Sequence, residues 1–198
     1  MCAACLGALV LLRGPLCARC GAPTAWPVER CSECAGRRLA FANARAAVAY
    51  EGAGRALVVA WKERGLRPLA GLFGDLVAET VARPAVDALA FVPAERDRSL
   101  WRGQNPAEAL AAALAVRWEL PVIPALTRAR PTRRQTGLPR SARRANIRGA
   151  FTASDAPPAV ALVDDVYTTG ATASAAASTL RRSGARVVHV VTFARATR

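Results

Sequence analysis

Residues 160–172 read VALVDDVYTTGAT, and this stretch decides the fold of the chain. Its apolar start, residues 160–163, predicts a buried strand. Residues 171–182 predict a helix that a Ser-Gly pair ends, and the apolar residues 187–193 predict a second strand. A strand, a helix and a strand in this order indicate a parallel α/β sheet with a right-handed crossover. Ligands of such sheets bind at the carboxyl ends of the strands.

The chemistry-bearing residues of this stretch follow the first strand. Asp164 and Asp165 occupy its carboxyl end, where paired aspartates could accept hydrogen bonds from vicinal ribose hydroxyls. The backbone N–H groups at the helix start, the permissive backbone of Gly170 and the threonine hydroxyls together suit one phosphate. The stretch therefore predicts a site for a pentose 5-phosphate, formed by Asp164, Asp165, Thr168, Thr169, Gly170, Ala171 and Thr172.

Other interpretations of the same residues are open. An aspartate pair at a strand end also suits Mg²⁺ in a phosphatase, and a loop that contains glycine also suits a nucleotide. A nucleotide-binding P-loop requires a lysine after its last glycine, whereas Ala171 follows Gly170, and the G-x-G-x-x-G pattern of dinucleotide-binding folds is absent from the sequence. The plainest alternative is structural, with Thr168 as a helix cap and the aspartates as solvated turn residues.

The rest of the chain continues the α/β pattern. Asn105, Pro106 and Glu108 supply an N-cap, a proline at the first helical position and an acid in the first turn, which predict a helix that runs to Trp118. Residues 128–148 are rich in Arg, Gly and Pro and predict a mobile basic loop. Apolar patterns predict strands at residues 46–50, 87–92 and 121–124 and helices at residues 56–61 and 69–81.

All six cysteines lie before residue 35, in pairs whose partners are separated by two residues. In a reducing cytoplasm such pairs bind metal more often than they form disulfides, because a two-residue gap lets both thiolates face one ion. This segment has too few large apolar residues to form its own core, so residues 1–40 are predicted to be a zinc-binding module and residues 41–198 the main domain. The predicted zinc ligands are Cys17, Cys20, Cys31 and Cys34, with Cys2 and Cys5 as further candidates.

The chain is strongly basic, with 28 Lys plus Arg against 14 Asp plus Glu and a formal charge of +14. That balance favours phosphate-rich ligands or nucleic acid. Lys62 is the only lysine, so an Arg- and Ala-rich composition from a GC-rich genome explains the charge equally well. No uncharged apolar run reaches the roughly 18 residues of a membrane-spanning helix, and no basic residue precedes the first apolar stretch as in a signal peptide. The sequence thus predicts a cytoplasmic protein without a membrane span.

Residues 163–172 resemble the diphosphate-sugar loop of type I phosphoribosyltransferases, which also has two acids followed by a Thr-Thr-Gly stretch. Over nearly its whole length the chain is similar to the ComF family, which is tied to DNA uptake in competent bacteria. The residues that carry this second resemblance are, in order, the cysteine pairs, Tyr50-Glu51-Gly52, Lys62, Val92-Pro93, Arg98, Arg102-Gly103, Arg128, Arg130, Thr132, Gln135, Arg143, Asn146 and Phe151.

The resemblance implies an α/β fold of the type I phosphoribosyltransferase kind, a parallel sheet flanked by helices, with a small N-terminal zinc-ribbon-like module. It also implies that the chain binds phosphoribosyl diphosphate with Mg²⁺ and that a nitrogen nucleophile displaces the diphosphate at the anomeric carbon. Catalysis then rests on positioning and on neutralising the leaving group. The residues that the resemblance assigns to catalysis are Asp164, Asp165, Lys62, Arg98 and Arg102, with Arg128 and Arg130 on a loop that could close over the site.

A second hypothesis is a nucleic-acid-handling protein that keeps the pocket for sensing without turnover. The acid-free stretch between Glu119 and Asp155 holds eight arginines, and Trp101 lies near another basic segment, so single-stranded DNA is a predicted partner. The zinc module could instead dock a protein partner, such as a helicase of the DNA-uptake machinery. The sequence identifies no acceptor for a phosphoribosyl transfer.

Overall fold

The computed structural model describes residues 3–94, 105–129 and 149–197 of the 198-residue chain. Within them the strands are β1 (Asn43–Ala49), β2 (Ala88–Phe91), β3 (Val122–Ile123), β4 (Leu126–Arg128), β5 (Phe151–Ala153), β6 (Ala159–Tyr167) and β7 (Val187–Arg195). The helices are α1 (Ala3–Gly7), α2 (Gly52–Glu63), α3 (Leu69–Thr80), α4 (Pro106–Trp118) and α5 (Ala171–Arg182). The fold is mixed α/β, as the sequence predicts.

Five strands form one sheet in the order β1-β7-β6-β2-β3, and each pairing in it is parallel. The parallel sheet that the sequence predicts is therefore confirmed. The longest register joins β6 to β7, from Ala159 opposite Val187 to Tyr167 opposite Arg195. Strand β2 follows β6 only as far as Val163, so the last residues of β6 extend beyond β2.

The sequence-based prediction ends the strand before the acids too early. Apolar character stops at Val163, which suggests that Asp164 and Asp165 follow the strand, whereas β6 continues through both to Tyr167. Pairing is the physical reason. Because the register with β7 continues until Tyr167 lies opposite Arg195, the backbone keeps its hydrogen-bond partners after the apolar run has ended. The acids are therefore part of a strand and are not turn residues.

The sheet carries a different layer on each face. Helices α2, α3 and α4 cover one face, where the ring of Trp61 lies edge-on to Phe73 with 4.9 Å between ring centres. Phe73 in turn stacks on Phe193 with 3.7 Å between ring centres. Helix α5 and the cysteine segment, residues 15–42, cover the other face. The buried cysteines share one core cluster there with Tyr167, so this segment packs on the sheet and has no separate core.

Helices α4 and α5 begin and end where the sequence predicts. Asn105 caps α4, because its side-chain oxygen accepts a hydrogen bond from the backbone N–H of Ala107 at 3.1 Å, and Pro106 takes the first helical position. Helix α4 ends at Trp118, and α5 spans the predicted residues 171–182. None of the described helices has the length and apolar character to cross a membrane.

Two short features are not predicted from the sequence. Strands β4 and β5 form an antiparallel pair, but each has three residues, too few for a periodic pattern to reveal them. The chain before the cysteine segment also lies along the outer edge of β1, where Leu12 donates to Ala47 and Ala49 donates to Val10, both across 2.8 Å. This contact covers an edge strand that could otherwise pair with another chain.

Candidate functional site

The two predicted carboxylates lie near the end of β6 and have different neighbours. Lys62 of α2 forms an ion pair with Asp165, with 2.6 Å between Nζ and Oδ2. Asp164 accepts a hydrogen bond from the backbone N–H of Asp165 at 2.9 Å, and the charges of Lys62 and Arg128 favour its ionised form. Successive side chains of a strand point to opposite faces of the sheet, which agrees with the different neighbours of the two carboxylates. The fold therefore brings two predicted cations, Lys62 and Arg128, to the predicted acids.

The Asp164 carboxyl resists ionisation. Its burial, followed by the negative charge of Asp165, raises its pKa from 3.8 to about 7, although Lys62, the N–H of Asp165 and Arg128 act in the opposite direction. At neutral pH this carboxyl therefore exchanges between its protonated and ionised forms. Such a group can both donate and accept hydrogen bonds, which suits contacts with hydroxyl groups of a ligand.

The threonine loop, residues 168–172, joins β6 to α5 through a left-handed turn at Gly170. Gly170 has a φ of 70°, and a side chain at this position would overlap the ring and hydroxyl of Tyr167. The hydroxyl of Thr169 lies 3.4 Å from the N–H of Ala171 and accepts its hydrogen bond. Glycine is therefore required here by the conformation of the loop itself, in addition to any close approach of a phosphate.

Tyr167 lies directly under the threonine loop, and the sequence assigns it no role. The residue is 4% exposed, and its hydroxyl has no hydrogen-bond partner among the described residues. Burial raises the pKa of Tyr167 to about 12, so the hydroxyl keeps its proton at neutral pH. A buried donor without a partner beside Gly170 is a candidate contact for a bound anion.

Several predicted residues lie outside the described part of the chain, namely Cys2, Arg98, Trp101, Arg102 and Arg130. Arg128 lies inside it, on β4. Its Nε donates to the carbonyl of Pro93 at 3.0 Å, and its guanidinium carbon lies 5.2 Å from the centre of the Phe151 ring. These contacts hold the Arg128 charge near Asp164.

The sulfurs of Cys17, Cys20, Cys31 and Cys34 converge on one point, with all four within 4.8 Å of one another. The Cys17 and Cys34 sulfurs are 3.6 Å apart, and those of Cys20 and Cys31 are 3.5 Å apart. A tetrahedral zinc ion with Zn–S bonds of about 2.3 Å has sulfurs about 3.8 Å apart, whereas a disulfide requires about 2.05 Å. The four thiols therefore could hold a metal ion such as zinc.

Backbone hydrogen bonds prepare Cys17 to bind metal. Burial opposes its ionisation, but hydrogen bonds from the backbone of Cys20, Cys31 and Arg19 outweigh burial and lower the pKa of the thiol to about 6. Metals bind the thiolate, so this residue offers an ionised sulfur at neutral pH. Cys5, a further candidate from the sequence, lies exposed on α1 and is not part of the cluster.

Arg195, the last residue of β7, joins the cluster to the sheet and is not predicted from the sequence. It is buried, donates to the carbonyl of Cys20 at 2.6 Å and pairs with the carboxylate of Glu33 at 2.9 Å. Its guanidinium carbon lies 4.7 Å from the centre of the Tyr167 ring. No sequence signal indicates these partners, because they lie far from Arg195 along the chain.

A separate cavity of about 660 Å³ lies at the opposite end of the sheet, where β1 and β7 begin. Arg13, Arg45, Arg83 and His189 are among its lining residues. Burial, followed by the charge of Arg45, lowers the pKa of His189, whose Nδ1 lies 2.9 Å from the side-chain oxygen of Asn43. None of the described candidate residues lines this cavity, so it is distinct from the predicted site.

No protein-family model and no curated protein sequence matches the chain. Its geometry defines the class of molecule: a mixed α/β protein with a parallel five-stranded sheet and a four-cysteine cluster suited to a metal ion.

Cys17→Ser should lower the metal content of the purified chain well below about one ion per chain, because it removes one of the four sulfurs. Cys5→Ser should leave the metal content unchanged, since Cys5 lies outside the cluster. Inductively coupled plasma mass spectrometry of wild type and both variants, all prepared without added metal, measures this. Equal metal content in the two variants would contradict the four-ligand assignment.

Asp164→Asn should stabilise the folded chain more at pH 8 than at pH 5. Because the pKa of Asp164 is raised to about 7 by burial, its contribution to stability is present at low pH and is lost as the pH rises toward 7, whereas asparagine stays neutral. The free energy of unfolding should favour the variant by about 2 to 3 kcal/mol more at the higher pH, or roughly 4 to 12 °C in Tm. Thermal unfolding at both pH values measures the difference, with Asp155→Asn, at an exposed acid, as the control. If the difference in Tm between Asp164→Asn and wild type were the same at pH 5 and pH 8, a raised pKa of Asp164 would be ruled out.

Proposed function

We propose that the chain is a phosphoribosyltransferase-like protein of the ComF kind, which binds phosphoribosyl diphosphate with Mg²⁺ and is linked to DNA uptake. The observation that carries the proposal is the junction of β6 and α5, where two acids in a parallel strand are followed by a Thr-Thr-Gly turn and a helix start. Unpaired N–H groups at a helix start bind phosphate. Ligands of parallel sheets bind at the carboxyl ends of the strands, which supports Asp164 and Asp165 as contacts for the sugar.

Each part of the ligand has a proposed partner. The 5-phosphate binds the threonine loop, because the helix dipole and the backbone N–H groups at the start of α5 favour an anion there. Asp164 and Asp165 accept hydrogen bonds from the sugar hydroxyls. A nitrogen nucleophile attacks the anomeric carbon, and the diphosphate leaves with Mg²⁺. The cations proposed to neutralise that diphosphate are Lys62, Arg98, Arg102, Arg128 and Arg130.

Lys62 changes partner in this proposal. Its ammonium group pairs with Asp165 across 2.6 Å when no ligand is bound. A diphosphate carries more negative charge than one carboxylate and therefore attracts the ammonium group more strongly. Its arrival draws Lys62 away and leaves Asp165 available to the sugar hydroxyls. The ion pair thus holds both side chains near the ligand position.

We also propose that the cysteine cluster holds one zinc ion in a structural role. Four thiolates complete a tetrahedral shell, so no position stays open for a water molecule or a substrate. Zinc contributes about 10 to 16 kcal/mol to the folding of small modules of this type. Reduced thiols suit the cytoplasm, which is the proposed location of the protein.

Phosphoribosyl diphosphate with Mg²⁺ should raise the Tm of the chain. At a concentration a hundredfold above its dissociation constant, a ligand stabilises the native state by about 2.7 kcal/mol, which corresponds to roughly 5 to 11 °C for a chain of this size. Asp164→Asn combined with Asp165→Asn should abolish the shift, because amides cannot replace the charged acceptors. Thermal unfolding with and without ligand measures this.

Asp155→Asn is the matched control for the double variant, because it removes an exposed acid a few residues before β6 and should keep the full shift. Ribose 5-phosphate, which lacks the diphosphate, should stabilise the chain less. The proposal fails if wild type shows no shift at millimolar phosphoribosyl diphosphate, or if the double variant shifts as much as wild type.

Single-stranded DNA is a second candidate ligand, and the exposed Trp26 favours it. Trp26 is 68% exposed, whereas Trp61 and Trp118 are each 5% exposed. Nucleic acid bases stack on exposed aromatic rings in sites that bind single strands without sequence preference. The formal charge of +14 attracts the phosphates of the strand. In this alternative the chain handles nucleic acid and does not turn over a substrate.

Trp26→Ala should weaken binding of a labelled oligothymidine by roughly 5- to 150-fold, which corresponds to about 1 to 3 kcal/mol of stacking on one base. Val10→Ala removes another exposed apolar side chain and should leave binding unchanged. The log–log salt slope should be about −3 to −4 in both variants if about five phosphates are contacted, because stacking releases no counterions. Fluorescence anisotropy measures both quantities, and a salt-independent affinity would eliminate this candidate.

A further inference from the structure

Arg195 connects the cysteine cluster to the support of the threonine loop. The residue is 1% exposed, its Nη1 donates to the carbonyl of Cys20 at 2.6 Å, and its Nη2 contacts the carboxylate of Glu33 at 2.9 Å. Its guanidinium carbon lies 4.7 Å from the centre of the Tyr167 ring, directly before the loop. One buried cation therefore touches both a cysteine of the cluster and the residue under Gly170.

Arg37 makes a second connection, which reaches the loop backbone itself. Its Nη2 donates to the carbonyl of Thr169 at 2.5 Å, and its Nη1 donates to the carbonyl of Glu33 at 3.3 Å. Close by, the N–H of Ala40 donates to the hydroxyl of Ser174 at 3.1 Å, in the first turn of α5. The cysteine segment therefore holds both the loop and the start of the following helix.

A metal ion in the cluster would fix the partners of Arg195. Glu33 lies between Cys31 and Cys34 in the sequence, and the Cys20 carbonyl belongs to another candidate ligand. Four sulfurs around one ion keep these acceptors in place, whereas without an ion only weak sulfur contacts link Cys17 to Cys34 and Cys20 to Cys31. A buried guanidinium that loses its acceptors is unfavourable, so Arg195 would move and release Tyr167.

We propose that Arg195 is a positioning residue that makes ligand binding at the threonine loop depend on metal binding at the cysteine cluster. The inference rests on the proposed function, since it states how that same site is regulated. Arg195 acts through Tyr167, and Arg37 acts through the carbonyl of Thr169. Loss of the metal weakens the phosphate-binding part of the site, while the acids and Lys62 stay on β6 and α2.

Thermodynamic linkage makes this coupling measurable from both sites. If zinc tightens ligand binding by some factor, the ligand tightens zinc binding by the same factor. Couplings between sites typically amount to about 5- to 150-fold. Phosphoribosyl diphosphate with Mg²⁺ should therefore bind the zinc-loaded chain more tightly than the zinc-free chain by a factor in this range. It should lower the dissociation constant for zinc by that same factor.

Two measurements on the full chain test the proposal. Calorimetric titration with phosphoribosyl diphosphate and Mg²⁺ is carried out on the zinc-loaded chain and on the zinc-free chain. Zinc is removed with a nitrogen-donor chelator, because such a chelator prefers zinc to Mg²⁺. Hydrogen exchange of the backbone amides of residues 167–174 reports on the loop without any ligand. Removal of zinc should accelerate exchange there and leave α4 unchanged, because α4 covers the other face of the sheet.

Variants separate positioning from general folding. Arg195→Met should keep about one zinc ion per chain but lose the effect of zinc on ligand affinity and on loop exchange. Arg37→Met, at a half-buried position, should reduce the effect of zinc on ligand affinity and on loop exchange. This variant tests the proposal even if Arg195→Met fails to fold. Arg181→Met, at an exposed position on α5, is the matched control and should keep the wild-type response.

The outcomes distinguish this proposal from the proposed function. Loop exchange that is the same with and without zinc would overturn the coupling, as would a general acceleration that includes α4. If zinc changes loop exchange but the zinc-loaded chain binds no phosphoribosyl diphosphate, the proposed function fails, whereas the dependence of the loop conformation on zinc stands. If the ligand binds with one affinity whether or not zinc is present, the proposed function stands and the coupling is wrong.

Discussion

The pairing of β6 with β7 is the constraint on which the rest of the structure depends. Because the register continues until Tyr167 lies opposite Arg195, both strands finish at the same level of the sheet. From there β6 turns into the threonine loop and α5, while β7 places its last arginine against the cysteine segment. The candidate ligand site and the candidate metal site are therefore neighbours, although their residues lie at opposite ends of the chain.

The candidate site balances acids against cations within a chain of formal charge +14. The charge of Asp165 adds to the burial that raises the pKa of Asp164, and Lys62 offsets part of that unfavourable charge from its position beside Asp165. The arrangement keeps Lys62 and Arg128 beside the acids, where an arriving anion could contact them. A surplus of positive charge over the whole chain would favour the approach of the proposed phosphate-bearing ligand.

The sequence predicts features that depend on residues adjacent in the chain, and it does not predict features that depend on contacts between distant segments. Helices α4 and α5 are predictable because their caps and turn residues are adjacent in the chain, and the cysteine spacing predicts the four sulfurs that converge. The length of β6 is not local, since pairing with β7 carries the strand past Val163. Lys62 is predicted for the site, but its pairing with Asp165 depends on how α2 packs. The partners of Arg195 come from the cysteine segment, so only the folded chain reveals its role.

A crystal structure of the full chain grown with phosphoribosyl diphosphate and Mg²⁺ is the most direct test of the proposed ligand site. The 5-phosphate should lie within hydrogen-bond distance of the backbone N–H groups of residues 168–172, and the sugar hydroxyls should contact Asp164 or Asp165. A ligand bound instead among Arg13, Arg45 and Arg83, in the cavity at the opposite end of the sheet, would contradict that assignment.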